Sequence, residues 1–160
     1  MSRTRSEYRL APLLAPVAAA TQSLVVRGVT LADRLPAAQL MLAAYRGTID
    51  DEGEGGDEAV AAIDHYFSTI VWPHSFVVTD GAQLVAMSFV VVVDERHYID
   101  PVATAASYKG RGIGRATVIE SLASLAAAGV TEVGATITDG NTPSERLFTA
   151  LGFVRIGEWA

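Results

Sequence analysis

Apolar positions follow two different periods along the chain, and the changes of period divide it into strands and helices. Alternating or continuous apolar runs predict six strands, over 24–29, 75–79, 84–93, 98–104, 133–137 and 152–157. Helical spacing predicts four helices, over about 34–45, 57–69 and 143–150 and from the glycine-rich stretch at 110–114 to Gly129. The order β-α-α-β-β-β-α-β-α-β predicts an α/β fold, with one mixed sheet and helices on both of its faces.

The first residues follow neither period. A basic leader precedes an apolar run over 10–20, an arrangement that superficially resembles a secretory signal. Pro12 and Pro16 interrupt the helix that such a signal would form. We therefore predict an N-terminal arm over 1–22 that is not cleaved, followed by one domain over 23–160.

Composition limits the classes of function. The chain has 160 residues, of which 50% are hydrophobic and 19% charged, as expected for one folded domain. It has no cysteine, which excludes disulfides, thiolate metal sites and a cysteine nucleophile, and we expect no metal. A net charge of −6 argues against nucleic acid as a partner. No apolar run approaches the roughly 18 residues of a membrane span, so we expect a cytoplasmic protein without a membrane partner.

The stretch 108–116 is the most informative part of the chain. Three glycines alternate in it where a strand must give way to a helix. Glycine tolerates positive φ and has no Cβ, so such a turn can direct N–H groups towards an anion. The start of the helix adds unpaired N–H donors, and Lys109, Arg111 and Arg115 add positive charge. The pattern predicts a pyrophosphate-binding turn, and the alternative is a glycine-rich turn that only starts a helix.

Spacing separates this turn from two common nucleotide motifs. The dinucleotide pattern G-x-G-x-x-G fails in both frames, because Arg115 and Thr117 stand where the third glycine would be. The P-loop pattern is absent. A nucleotide-binding enzyme remains an alternative, and stabilisation by NAD or ATP would reveal it.

Two segments resemble motifs of the GNAT N-acyltransferase superfamily. Lys109-Gly110-Arg111-Gly112-Ile113-Gly114 resembles motif A, [QR]-x-x-G-x-[GA], with lysine at the usual Gln or Arg position. The segment from Asn141 to Phe153 resembles motif B, N-x-x-[SA]-x-x-[LF]-[YF]-x-x-x-G-F. Two motifs in the expected order are much more specific than either alone, and the order of elements over 24–157 is also similar to that of the family.

The resemblance implies a mostly antiparallel sheet, splayed around an acetyl-CoA site between the strands at 98–104 and 133–137. The backbone of the strand at 98–104 would pair with the pantetheine arm of the cofactor, and the turn would hold its pyrophosphate. The second motif would lie near the lower part of the pantetheine arm and the sulfur atom of the cofactor. The implied cofactor-binding residues are Val102, Ala103 and Thr104 in the strand, Lys109, Gly110, Arg111, Gly112, Ile113, Gly114 and Arg115 in the turn, and Asn141, Ser144 and Phe148 in the second motif.

The implied reaction is direct attack of a primary amine, on a small molecule or a peptide, at the thioester of acetyl-CoA in a ternary complex. An alkyl ammonium with a pKa of roughly 10.4 must first lose a proton. Asp100 aligns with a strand position where family members often have glutamate, so it is the candidate base, although it would face solvent just as readily. Glu95 and His97 are the next candidates. His65 and His74 are interpreted as a helix-surface residue and a strand-entry residue.

Phe148 departs from the family pattern, in which many members carry a tyrosine that protonates the departing thiolate. General acid catalysis contributes about 10²–10⁴-fold to the rate, so loss of the tyrosine hydroxyl would slow the reaction without abolishing it. Ser144, Tyr108 or water would substitute. The alternative function is a non-catalytic acyl-CoA-binding sensor or assembly protein with the same fold.

The C-terminus is the second departure. The family usually has one more strand after the Gly-Phe strand, whereas this chain ends at Ala160. An exposed strand edge promotes aggregation, so we expect it to be covered. Either the N-terminal arm or a partner chain, as in a homodimer, would cover it, and the remaining alternative is an edge that stays open.

An acidic segment lies between the first two helices. It contains Asp50, Asp51, Glu52, Glu54, Asp57 and Glu58. In this family the region borders the acceptor site, so one hypothesis is that these carboxylates attract a cationic amine. A solvated loop with acidic residues at a helix N-terminus explains them equally well.

Overall fold

A computed structural model describes residues 3–14 and 24–160, which contain seven strands and four α-helices. The strands are β1 (Arg5–Leu10), β2 (Val25–Gly28), β3 (Phe76–Asp80), β4 (Gln83–Val93), β5 (Arg96–Thr104), β6 (Val133–Thr138) and β7 (Val154–Glu158). The helices are α1 (Arg34–Tyr45), α2 (Gly56–Thr69), α3 (Ile113–Ala127) and α4 (Thr142–Ala150). Within these described ranges, no helix is both long and apolar enough to cross a membrane.

All seven strands form one sheet in the order β2-β3-β4-β5-β6-β1-β7. Every neighbouring pair is antiparallel except β5 and β6, which are parallel. Helices α1 and α2 pack on one face, around buried residues such as Ile63 and Phe89. Helices α3 and α4 pack on the other face, around Leu122, Val133 and Phe148. The predicted mixed sheet with helices on both faces is confirmed.

The ten predicted elements are all present, with boundaries within two residues of the predicted ones. Gly129 has φ +83° just beyond the end of α3, as expected for a residue that terminates a helix.

Strand β1 was not predicted. It lies within the segment interpreted as an N-terminal arm and pairs with β6 from Arg5↔Thr138 to Leu10↔Val133, and with β7 on its other edge. The chain's own N-terminal segment therefore covers one edge of β7, while β7 ends the sheet and its other edge pairs with no described strand. Residues 1–2 and 15–23 of the arm lie outside the described residues, and the boundary at residue 22 stays a prediction.

The sheet opens between β5 and β6. These strands pair with each other only at Tyr98↔Gly134 and Ile99↔Ala135, and beyond these residues their C-terminal ends no longer pair with one another. A bulge lies at the same point, because β5 has two residues, Asp100 and Pro101, opposite the single Phe89 of β4. The sequence therefore places Asp100 where the two strands begin to separate.

Candidate active site

A cavity of about 1160 Å³ lies in this opening, between α1 and α2 on one side and α4 and the glycine-rich turn on the other. Nearly all the predicted site residues line it: Asp100, Val102, Ala103, Thr104, Lys109, Gly110, Gly112, Ile113, Gly114, Arg115, Asn141, Ser144 and Phe148. Arg111 does not, since its guanidinium stacks on the ring of Tyr108, 5.2 Å from the centroid. The fold thus brings together residues that are far apart in sequence, while their individual roles stay predictions.

The glycine-rich turn presents unpaired backbone donors to the cavity. Gly110 and Gly112 have φ of +78° and +77°, a conformation that disfavours other residues. No described residue accepts a hydrogen bond from the backbone N–H groups of 110–115, and the N–H of Ala116 is the first to bond, to the oxygen of Gly112 at 3.0 Å. Such a run at the positive end of a helix dipole is an anion-binding arrangement.

Gly114 serves a different purpose from the other two glycines. A Cβ built on it would lie 2.9 Å from Oγ1 of Thr104. The missing side chain therefore allows α3 to pack closely on β5. The close packing of Gly114 on Thr104 sets the distance between the turn and the edge of β5.

Two of the basic residues of the turn are held by contacts within the protein. Lys109 Nζ donates to the backbone oxygen of Ala44 at 2.9 Å, near the C-terminal end of α1, where a positive charge is favourable. Arg111 is held on Tyr108, whose hydroxyl donates to Asp80. Lys109 thus ties the turn to the helix that borders the other side of the cavity.

The end of β5 offers a free strand edge. Val102, Ala103 and Thr104 pair with β4 through their other edge, and β6 pairs with none of them. An extended ligand arm in the opening would find backbone donors and acceptors there, as in strand addition.

Asp100 lies at the closed end of the opening. Its Oδ2 accepts a hydrogen bond from the hydroxyl of Tyr66 at 3.3 Å. Burial raises the pKa of the Asp100 carboxyl, and the charge of Arg5 and the Tyr66 hydrogen bond offset part of that rise. Burial also raises the pKa of Tyr45 and Tyr66, so both phenols stay protonated as donors at neutral pH. The cavity therefore holds a carboxylate whose proton affinity is increased, beside neutral hydroxyl groups.

The second motif joins the cavity through the start of α4. Asn141 Oδ1 accepts from the N–H of Ser144 at 3.3 Å and caps the helix, and its Nδ2 donates to Asp50 at 3.0 Å. Phe148 is 4% exposed and packs edge-on against Phe153, with ring centroids 5.0 Å apart. Its ring supplies an apolar wall and no proton donor.

The other candidate bases lie elsewhere. Glu95 is in the β4–β5 turn with φ +65°, and the ring of His97 lies 6.4 Å from that of His74. Neither of the two candidates lines the cavity that the described residues form. His65 is exposed on α2, and His74 Nδ1 lies 2.6 Å from Ser124 Oγ, as befits surface and strand-entry residues.

The acidic segment divides into two groups. Its cavity-lining members are Asp50, Glu52, Glu54 and Glu58. Asp51 instead shapes the loop, because it accepts from the N–H groups of Gly47 at 2.8 Å and Gly53 at 2.9 Å and pairs with Arg46 at 3.2 Å. Asp50 accepts from both Asn141 and the hydroxyl of Thr138, at 2.7 Å for the latter, and so joins the loop to β6 and α4.

Sequence reasoning did not assign Tyr45, Tyr66 or Arg5 to the site, although all three line the cavity. In the sequence, Tyr45 and Tyr66 fit the apolar positions of their helices, and Arg5 lies in the predicted arm. The phenols were detectable in principle, since a tyrosine on a buried helix face needs a polar partner. Arg5 gave no local signal, because only the pairing of β1 with β6 brings it to the cavity.

Three solved structures show the same fold at low sequence identity. A GCN5-related N-acetyltransferase from Sphaerobacter thermophilus matches with a TM-score of 0.73 and 16% identity, over 98% of this chain and 49% of that one. The ribosomal-protein-S18-alanine N-acetyltransferase from Escherichia coli matches with a TM-score of 0.66 and 17% identity, over 82% of this chain and 77% of that one. A tandem GNAT protein from the clavulanic acid biosynthesis pathway matches with a TM-score of 0.70 and 16% identity, over 98% and 51%.

The chain thus spans about half the length of the first and third of these structures. The comparison with curated proteins gives no significant match. A sequence model described as the acetyltransferase (GNAT) family matches residues 41–153, which include the bulged strand, the glycine-rich turn and the second motif. Sequence, fold and cavity agree, and the chain belongs to the GNAT acetyltransferase family.

Proposed function

We propose that the protein transfers an acetyl group from acetyl-CoA to a primary amine of a small molecule or peptide, in the cytoplasm. One observation carries the proposal: residues 110 and 112–115, whose backbone N–H groups bond to no described residue, line the same cavity as the Asp100 carboxylate, whose pKa is raised. The first suits a diphosphate and the second suits deprotonation of an amine. GNAT membership supports the pairing of these two functions.

The residues present fit acetyl-CoA. Unpaired donors of the turn would hold the diphosphate, the free edge of β5 at 102–104 would pair with the pantetheine amides, and α4 would border the thiol end. When bound, the cofactor supplies a thioester carbon that is open to attack and a thiolate that leaves. The 1160 Å³ cavity has room for both this arm and an acceptor.

The acceptor would enter from the side of α1 and α2, where Glu52, Glu54 and Glu58 line the cavity and favour a cationic amine. Asp100 would take the ammonium proton, directly or through water. Its increased proton affinity suits this task, because a base works best when its pKa lies nearer the working pH. Tyr66 would hold the carboxylate in position through its hydrogen bond.

The departing thiolate would lack the hydroxyl that many family members place at position 148. A thiol with a pKa near 8.5 is a tolerable leaving group, and the positioning of two bound reactants supplies roughly 7–11 kcal/mol. Ser144 is a candidate substitute, since it lines the cavity and its hydroxyl bonds to no described residue. Tyr108 suits the task less well, because its hydroxyl already donates to Asp80.

Phe148 also favours a second candidate, a non-catalytic acyl-CoA-binding protein that senses the cofactor or takes part in an assembly. Release of free thiol from acetyl-CoA, measured against a panel of amines, separates the two. Turnover with at least one amine supports the transferase. Thermal stabilisation by acetyl-CoA without turnover on any amine would replace it with the binder.

A further inference from the structure

Arg5 places a positive charge in the cavity that no acidic side chain of residues 3–14 and 24–160 neutralises by contact. It is the first residue of β1 and lies opposite Thr138, at the cavity end of β6. Among the described residues, its guanidinium forms no ion pair, and its one hydrogen bond is a long contact of 3.5 Å to Thr136 Oγ1. The neighbouring Arg3 and Arg9, by contrast, both pair with glutamates. Most of the Arg5 donors are therefore available to a ligand.

Arg5 lies on the acceptor side of the sheet. Alternate residues of a strand share a face, so Arg5 and Glu7 point the same way. Glu7 accepts a hydrogen bond from the hydroxyl of Tyr98, whose ring is buried in the core formed with α1 and α2. The turn that presents the unpaired N–H groups belongs to α3, which packs in the other core. Arg5 is thus separated from the proposed diphosphate site by the sheet opening.

Arg5 and Asp100 line the same cavity, but these two described residues form no hydrogen bond or ion pair with each other. The charge of Arg5 opposes the rise in the pKa of Asp100. A guanidinium and a carboxylate that share a cavity without pairing suit a ligand that bears both opposite charges. The planar fork of a guanidinium matches a carboxylate in particular.

We propose that the acceptor carries a carboxylate as well as the amine, and that Arg5 binds this carboxylate while Asp100 faces the ammonium group. The acceptor is then an amino acid or a similar zwitterion. This inference rests on the proposed transfer reaction for its kinetic test. A purely cationic polyamine is the competing acceptor, because the acidic side chains at 52, 54 and 58 would attract it equally well.

The test uses paired acceptors that differ only in the anionic group: β-alanine and γ-aminobutyrate, each against its carboxamide. With the wild-type chain we expect kcat/KM to be about ten- to a hundredfold higher for the carboxylates, the range that a hydrogen-bonded charge provides. In Arg5→Gln this preference disappears through KM. A change in the pKa of Asp100 alters the rates on acids and carboxamides alike, so the acid-to-amide ratio is the quantity compared. Arg5→Lys retains part of the preference. Equal rates on acids and amides, or equal losses on both in Arg5→Gln, would overturn the proposal.

Arg3→Gln is the matched control, since Arg3 lines the same cavity but pairs with Glu52 at 3.6 Å. It should leave the acid-to-amide ratio unchanged. Calorimetric titration of γ-aminobutyrate and its carboxamide into the CoA-saturated protein gives a readout that needs no turnover. Heat from the acid alone, lost in Arg5→Gln, would support the carboxylate site even if no amine were acetylated. Turnover without discrimination would reject the site and leave the transfer reaction standing.

Discussion

Replacement of Gly114 by alanine should weaken acetyl-CoA binding through a contact that involves no ligand. The new Cβ would lie 2.9 Å from Thr104 Oγ1, whereas ordinary contact begins at 3.4 Å. The first turn of α3 must therefore move by about 0.5 Å away from β5, or the threonine must leave its position. Overpacking of this kind costs about 1–3 kcal/mol. Because the displaced turn carries the N–H donors, we expect the Kd for acetyl-CoA to rise about tenfold, which corresponds to about 1.4 kcal/mol.

A double-mutant cycle isolates the contact. Thr104→Ala removes the hydroxyl, so Gly114→Ala in that background should bind acetyl-CoA nearly as tightly as the wild type. Thr104→Val is the matched control, because a methyl group takes the place of the oxygen and should give no rescue. Denaturant unfolding and calorimetry measure the two effects separately. A Gly114→Ala variant with wild-type stability and affinity, or a double variant no better than the single one, would refute this reasoning.

Two further predictions concern the chemistry. Asp100→Asn should lower kcat by about 10²–10⁴-fold, and it should raise stability at neutral pH, because the folded state raises the pKa of this half-buried carboxyl and so disfavours its ionisation. The resulting destabilisation is absent below the unfolded pKa near 3.9 and grows as pH rises through the raised folded pKa. The melting temperatures of the two proteins should therefore converge in acid and separate towards neutral pH. A difference in melting temperature that does not change with pH would contradict the assignment. Phe148→Tyr should raise kcat if thiolate protonation limits turnover, with wild-type KM for the amine. An unchanged rate of thiol release would show that the hydroxyl is not needed.

The helices and central strands could be predicted because their signals are local. Continuous apolar runs such as Val90–Val93 and the glycines around α3 carry their own periodicity and turn chemistry. The sequence of strand β1 shows little periodicity and little turn chemistry. Only Ser6 and Tyr8 of its six residues are fully buried, and the remainder includes three charged side chains. Its place depends on pairing with β6, more than a hundred residues away, which no local pattern encodes.

The same limit applies to the site. The motifs indicate the turn and α4, and the resemblance to the family indicates Asp100, because each lies in a short segment of sequence. The positions of Arg5 and Asp50 depend on tertiary contacts, to Thr136 in one case and to Asn141 in the other. Asp33 shows that a local signal can also mislead. An aspartate directly before a helix favours a capping side chain, but Asp33 is buried and accepts from Arg27 and the N–H of Thr30, both at 2.8 Å.

Charge placed in the glycine-rich turn tests the diphosphate site most directly. Gly112→Glu and Gly112→Gln impose the same strain, since both residues must adopt φ near +77° where nothing lies within 4 Å of the added Cβ. Only the glutamate adds a negative charge beside the unpaired N–H groups. Calorimetric titration should show that acetyl-CoA binds the Gln variant at least tenfold more tightly than the Glu variant, while pantetheine, which lacks the diphosphate, does not distinguish them. Equal affinities of the two variants for acetyl-CoA would contradict the account.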